Sequence, residues 1–379
     1  MTSAVIYLTG ECNIRCAHCF VGNDQLRPRK GMSTKEICAV LRQLQKGGVD
    51  TVTLLGGEPT LRKDFTDIVS AAEQLGLYVS VNSNLIDFRS LYAVCQNAAL
   101  KNIVVSLDGI EAQSHDKMRG KGSFAKTMNN LRALTRHKRY LDGDLTVDMT
   151  FVLTAANRPE TPKLAAFAAE HGFRTINFKT LQYNDRAEKN KDTLAITGRD
   201  LLDALVEFYV GCLMREGSRF NMYIPPALGE YLAQATGTPC ETITDEACGG
   251  TSVYSYVDLL GNNFPCPAMS FEENENINVS RRIDRLNLAI NSFEDVHKTS
   301  VFKGFDTSIK RGHRKSFLAP CNTCVFLETC SPCTNEIIRG SKSGAVAECL
   351  AVQQAGNDRA PGITSRIFRR NPDDQPSPT

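Results

Sequence analysis

The sequence predicts an α/β fold with parallel strands, followed by a small cysteine-rich region. Three features predict it. Short β-branched runs alternate with helical patterns over the first two hundred residues. That periodicity breaks from about Asn221 into segments punctuated by Gly, Pro and Cys. Eleven of the 14 cysteines fall in two regions, one at each end of the chain.

The strand candidates, in order, are Ala4 to Thr9, Thr51 to Leu55, Tyr78 to Ser83, Asn102 to Leu107, Thr146 to Leu153 and Thr175 to Lys179. Helical segments separate them. Thr34 to Lys46 is one, with Ser33 as N-cap, Glu36 three residues on to complete a capping box, and Gly47 and Gly48 at its end. Six βα units follow, and in sheets and barrels of this kind the chemistry gathers at the carboxyl ends of the strands. The later region suits a second domain organised by metal rather than by a core. The expected division is 1–220, 221–350 and a disordered tail over 351–379, which is rich in Pro, Asp, Asn and Arg. There is no internal repeat.

The 379 residues are 42% hydrophobic and 23% charged, enough to bury a core. A net charge of +2 advertises no nucleic-acid or membrane partner. No run approaches the roughly eighteen apolar residues that span a bilayer, and Met1 to Leu8 lacks the marks of a signal peptide, so a cytoplasmic protein is expected. In a reducing compartment clustered cysteines are metal ligands more often than disulfides.

The first predicted strand runs into Cys12-Asn13-Ile14-Arg15-Cys16-Ala17-His18-Cys19. Three thiolates can hold three irons of a four-iron cluster and leave the fourth open to an outside ligand. With His18 as a fourth ligand, the same loop reads as a closed zinc site. After the second strand comes Gly56-Gly57-Glu58-Pro59. The third strand ends in Asn82-Ser83-Asn84 and the fourth in Ser106-Leu107-Asp108-Gly109, and His115-Asp116 with Arg119-Gly120 follows. Read alone, these are turns and polar caps.

Together they resemble the radical S-adenosylmethionine (radical SAM) superfamily. His18 fills the aromatic place before the last cysteine of its three-cysteine motif. The resemblance implies a partial (β/α)6 TIM-like barrel with a [4Fe-4S] cluster on Cys12, Cys16 and Cys19. S-adenosylmethionine would chelate the open iron and be cleaved to a 5′-deoxyadenosyl radical. It further implies that Gly56, Gly57 and Glu58 grip the methionine ammonium. Asn82 and Ser106 would meet the ribose and carboxylate, and Arg119 would pair with the carboxylate through a charge-assisted fork.

The later cysteines are Cys240, Cys248, Cys266, Cys321, Cys324, Cys330, Cys333 and Cys349. Gly261 followed by four residues and Cys266, then Cys321-x2-Cys324-x5-Cys330 and a late Cys349, resemble the SPASM extension of some radical SAM enzymes. That implies two auxiliary [4Fe-4S] clusters, three in all. Cys321, Cys324, Cys330 and Cys349 would hold one, and Cys248, Cys266, Cys333 and Cys240 the other. The Cys330 to Cys333 spacing is one residue shorter than usual, and the place of Cys240 varies in the family. Two zinc ribbons are the alternative reading. Cys38, Cys95 and Cys212 lie in helical patterns and read as inert core residues.

Auxiliary clusters suit a net oxidation. The first functional expectation is a maturase that crosslinks or dehydrogenates a ribosomally made peptide, supplied with electrons by a flavodoxin- or ferredoxin-type reductant. The chain begins close to strand one, so leader recognition would fall to a separate carrier or to the second domain. Pro267 follows Cys266 where sulfatase maturases carry an aspartate, which disfavours that branch. The second expectation is an oxidoreductase or epimerase acting on a sugar, aminocyclitol or tetrapyrrole; the third is a non-catalytic metal scaffold, which leaves Gly56 to Glu58 unexplained. Glu11, Asp108, His115 and Tyr183 are the acid and base candidates.

Overall fold

A computed structural model describes residues 2–19, 31–182, 185–222, 224–240, 254–266, 282–304, 324 and 347–355. All six predicted strands form: β1 (Thr2–Tyr7), β2 (Val49–Leu55), β3 (Tyr78–Ser83), β4 (Leu100–Ser106), β5 (Thr146–Leu153) and β6 (Ile176–Thr180). Each pairs in parallel with the next, as a chain of βα crossovers requires. Helices fill the crossovers, among them α1 (Thr34–Lys46), α2 (Phe65–Gln74), α3 (Arg89–Val94), α4 (Ala112–Arg119) and α5 (Ser123–Leu134). The predicted capping box is present: Ser33 Oγ accepts from Glu36 N, and the Glu36 carboxylate accepts from Ser33 N at 2.9 Å. Ile37, Val40, Leu41 and Leu44 form the buried stripe of α1.

The two faces of the sheet differ. Ile6, Val52, Leu54, Val79, Val81, Ile103, Val105, Val147, Met149, Phe151 and Phe178 are all buried on one face. The alternate residues Ser80, Asn82, Asn102, Val104, Ser106, Thr150 and Asn177 are half-buried. Period-two alternation therefore gives an apolar side and a polar, wetter side. Ser80 Oγ bonds Asn102 Oδ1 at 3.0 Å, and Asn102 Nδ2 bonds Asp148 Oδ2 at 2.8 Å, a polar ladder across three strands.

Three further strands complete a nine-stranded sheet of order β7-β6-β5-β4-β3-β2-β1-β8-β9. They are β7 (Phe220–Met222), parallel to β6; β8 (Tyr254–Val257), parallel to β1; and β9 (Asn263–Phe264), antiparallel to β8. Contacts divide the chain into two compact units: Met1–Ala195, Gly211–Met222 and Gly250–Lys303 form the first, and Ile196–Val210, Tyr223–Gly249 and Gly304–Thr379 the second. The boundary expected at residue 220 is thus crossed by the sheet, because β8 pairs with the strand edge of β1. Within the second unit, helices Pro226–Thr236 and Ala347–Ala355 pack together, and Ala351 and Val352 are buried. Five residues of the expected tail therefore belong to a packed helix; residues 356–379 lie outside the described residues.

The β8–β9 hairpin explains one motif glycine. Gly261 sits in its turn at φ 88°, a conformation favouring glycine, with Asn287 Nδ2 and Met32 Sδ each 3.1 Å from where a Cβ would stand. Asp258 closes the turn by accepting from Leu260 N and Asn262 N at 2.9 and 2.8 Å. Burial raises the Asp258 carboxyl to about 6. Cys266 follows two residues after β9 and is half-buried.

Candidate active site

The three-cysteine loop leaves the carboxyl end of β1. Cys16 is 8% exposed, while Cys12 and Cys19 are half-buried. Two neighbouring segments hold the loop, one from β2 and β3 and one from β4, α4 and β5.

On the first side, Gly57 N donates to Thr9 O and Glu58 N to Glu11 O, both at 2.7 Å. The glycines are a packing necessity: a Cβ on Gly56 would stand 2.6 Å from Thr9 O, and one on Gly57 2.2 Å from Glu11 O. Glu58 turns inward. Its carboxylate accepts from Thr60 Oγ1 (2.7 Å), Ser83 Oγ (2.9 Å) and Asn84 N (2.8 Å). Burial pushes the Glu58 carboxyl up, opposed by these donors. Asn84 then reaches the cysteine loop, its Nδ2 donating to Asn13 Oδ1 at 2.7 Å and facing Cys12 Sγ at 4.0 Å. The polar end of β3 is thus a brace for Cys12 that the sequence had shown only as a cap.

On the second side, Asp108 is fully buried. One oxygen accepts from Arg119 Nε at 2.5 Å and faces His18 Nε2 at 3.0 Å, and the other accepts from Val152 N at 2.8 Å. Burial by itself would raise the Asp108 carboxyl, but the Arg119 guanidinium and then His18 outweigh it and hold the group well below the usual carboxylate range. Arg119 Nη1 lies 3.8 Å from Cys16 Sγ. Burial raises the Cys16 thiol, and Arg119 opposes that rise. The backbone adds a further tie, Ala17 N donating to Met118 O at 2.8 Å.

These contacts sort the acid and base candidates. Asp108 has both oxygens engaged. His115 is buried, and its Nδ1 accepts from Asp108 N at 3.3 Å, which places the ring proton on Nε2. Burial, helped by Arg119, lowers His115 to about 4, so the ring is neutral. Glu11 is exposed at the loop's edge, and Tyr183 lies outside the described residues.

Of the remaining site residues, Asn82 and Ser106 stand on the polar face at the ends of β3 and β4. Cys240, Cys324 and Cys349 are half-buried, and Cys248, Cys321, Cys330 and Cys333 lie outside the described residues. Cys95 and Cys212 are buried, and burial pushes both thiols up to about 12, as inert core residues require. Lys179, near the end of β6, was not singled out by its sequence. It keeps solvent contact, yet surrounding protein lowers its ammonium pKa, and among the described residues no carboxylate pairs with it.

The loop fits an iron-sulfur cluster with S-adenosylmethionine. Three thiols share one loop, and a guanidinium faces the buried one. Asn82 Oδ1 and His18 Nδ1, like His115 Nε2, are among the buried atoms that have no hydrogen-bond partner among the described residues. Asn82 Oδ1 is an acceptor, and so is His18 Nδ1 when the ring proton sits on Nε2 and is donated in a hydrogen bond to Asp108; a ligand rich in amino and hydroxyl groups satisfies them. Among the described residues no three His, Cys, Asp or Glu side chains converge on the position of one ion.

Residues 6–194 match the radical SAM superfamily, and the chain belongs to that superfamily. Among curated relatives, the mycofactocin maturase MftC of Mycolicibacterium smegmatis is 29% identical over 265 residues, 69% of this chain and 62% of that protein. The Fe-coproporphyrin III synthase of Methanosarcina barkeri is 30% identical over 271 residues, 70% of this chain and 60% of its own. The match therefore spans about three fifths of the length of these relatives. Streptococcus suis SuiB bound to its precursor peptide SuiA shares the fold, with a TM-score of 0.67 at 17% identity over 92% of this chain and 75% of SuiB. Among the described residues no helix is long and apolar enough to cross a membrane.

Proposed function

We propose that this protein is a radical SAM enzyme that oxidatively modifies a ribosomally made peptide. One observation carries the reading: Cys12, Cys16 and Cys19 lie on a loop locked between the Gly56–Glu58 segment and the Asp108–Arg119 pair, at the carboxyl ends of parallel strands. When bound there, a four-iron cluster and S-adenosylmethionine supply one-electron cleavage of a sulfonium and a carbon radical that removes a substrate hydrogen.

The chain's residues bind and orient. Cys12, Cys16 and Cys19 hold the cluster. The backbone of Gly56 and Gly57, kept close to the loop by the absence of Cβ atoms, meets the methionine ammonium, and Glu58 keeps that segment in place. Asn82 Oδ1 would accept from a ribose hydroxyl, Ser106 would meet the methionine carboxylate, and His18 would meet the adenine. Lys179 offers a cation to an anionic group of the substrate. The eight later cysteines would hold the two auxiliary clusters of a SPASM extension, which would supply an acceptor for the electron released in the net oxidation, and a flavodoxin- or ferredoxin-type protein would supply reductant. The likeness to a mycofactocin maturase, and to the fold of a peptide-bound SuiB, supports the peptide reading.

The 30% identity to an Fe-coproporphyrin III synthase favours a second reading, a small-molecule oxidoreductase acting on a tetrapyrrole or similar substrate. Anaerobically reconstituted protein with dithionite and S-adenosylmethionine should release 5′-deoxyadenosine, and the Cys12, Cys16, Cys19 triple alanine variant should release none. Iron should number about twelve per chain and fall to about eight in that variant. Release by the variant would overturn the site. Acceleration of release by a short peptide encoded beside the gene supports the first substrate class; acceleration by coproporphyrin instead supports the second.

A further inference from the structure

The pair Asp108 and Arg119 has a use that the expected role of Arg119 does not cover. A guanidinium offers donors in a fixed plane. Here Nε is spent on Asp108 at 2.5 Å, which turns Nη1 towards Cys16 Sγ at 3.8 Å, within the range of a donor to sulfur. Arg119 is 8% exposed and Asp108 0%, so little water screens this contact. The same Asp108 oxygen faces His18 Nε2 at 3.0 Å, and Met118 O, one residue before Arg119, accepts from Ala17 N at 2.8 Å. The end of α4 therefore grips Cys16, Ala17 and His18 as one block.

We propose that Arg119, aimed by Asp108, is a positioning residue for the iron-sulfur cluster: it donates to the Cys16 thiolate and raises the cluster's reduction potential, instead of binding the methionine carboxylate. The proposal rests on the reading of Cys12, Cys16 and Cys19 as cluster ligands. A thiolate that keeps its negative charge in a buried place is costly without a cation beside it. Hydrogen bonds to cluster sulfurs and nearby charge are the protein's main means of setting such potentials. Adding an electron to the cluster increases its negative charge, so a guanidinium at Cys16 favours the reduced form. Asp108 prevents the fork from swinging towards any other anion, since its loss of both Arg119 and His18 would strand a buried charge.

The test is a titration of reconstituted full-length protein with titanium(III) citrate, monitored by electron paramagnetic resonance without S-adenosylmethionine. The cluster concerned is the one whose signal changes when S-adenosylmethionine is then added. In Arg119→Gln the midpoint should fall by about 59 mV or more, a tenfold change in a one-electron equilibrium. Arg119→Lys keeps the charge but cannot hold Asp108 and Cys16 together, so its midpoint should fall by less. It also serves if the glutamine variant fails to assemble its cluster. Affinity for S-adenosylmethionine, read by calorimetry, should change less than threefold. An unchanged midpoint in both variants, or one joined to a tenfold or larger loss of affinity, overturns the proposal and returns Arg119 to the carboxylate. If no signal in the unaltered protein responds to S-adenosylmethionine, the cluster assignment itself fails, an outcome distinct from the first.

Discussion

Two buried carboxylates flank the cysteine loop, and they are kept in opposite ways. Glu58 is 1% exposed and surrounded by neutral donors from Thr60, Ser83 and Asn84; burial pushes its carboxyl up. Asp108 is 0% exposed and paired with Arg119; its carboxyl is held down. The Glu58 side grips the loop through backbone hydrogen bonds and delivers no charge to the thiols. The Asp108 side brings a cation to Cys16. Neutral bracing gives shape, and ionic bracing gives shape with an electric field.

That contrast can be broken by substitution. The largest effect belongs to Asp108→Asn, which leaves the buried guanidinium without its partner and should cost about 3–5 kcal/mol in urea unfolding. Gly57→Ala places a methyl against the Glu11 carbonyl, 2.2 Å away, and should cost about 3 kcal/mol and reduce iron incorporation. Glu58→Gln keeps the shape but turns an amide donor towards a site built of donors, so about 1–2 kcal/mol is expected. If Glu58→Gln costs as much as Asp108→Asn, the two sides are not held differently.

A half-buried histidine sharpens the comparison. His297 stacks between Phe293 and Phe302, at 3.8 and 4.0 Å between ring centroids, and burial lowers it to about 4, with no charged partner among the described residues. Between pH 6.5 and about 4 the unfolded chain takes up a proton that the folded ring refuses, so stability falls as pH falls through that window. The loss should be on the order of 1 kcal/mol, and His297→Phe should remove it from the pH profile. Smallest of all, Lys179→Met removes an exposed cation that no carboxylate pairs with among the described residues, and should change stability by under about 0.5 kcal/mol. It should weaken binding of an anionic substrate; unchanged substrate affinity would remove Lys179 from the site.

Much of the site was legible from residue order. β3 and β5 fall on their predicted bounds and the other four strands within two residues, because a sheet with one apolar and one polar face leaves β-branched and apolar residues at every second position. The three cysteines after β1 and the two glycines after β2 were placed because a barrel gathers its chemistry at strand ends. The roles of Asp108 and His115 were not legible. As residue types they suit acid and base work, but packing buries both, spends the Asp108 oxygens on Arg119, His18 and the Val152 backbone, and leaves His115 only Nδ1 bonded, to Asp108 N. β7, β8 and β9 have only 3, 4 and 2 residues, too few to show a period.

The sequence by itself determined the parallel α/β frame, the superfamily and the three-cysteine loop, since these depend on residue type and spacing along the chain. Only the tertiary structure decided that Arg119 faces Cys16, that Asn84 reaches the loop beside Cys12 and that β8 pairs with β1. Each of these joins residues between 72 and 251 positions apart, as in Asn84 with Cys12 and Ser3 with Tyr254. Charge direction and hydrogen-bond saturation belong to such pairs in space, and spacing along the chain carries no record of them.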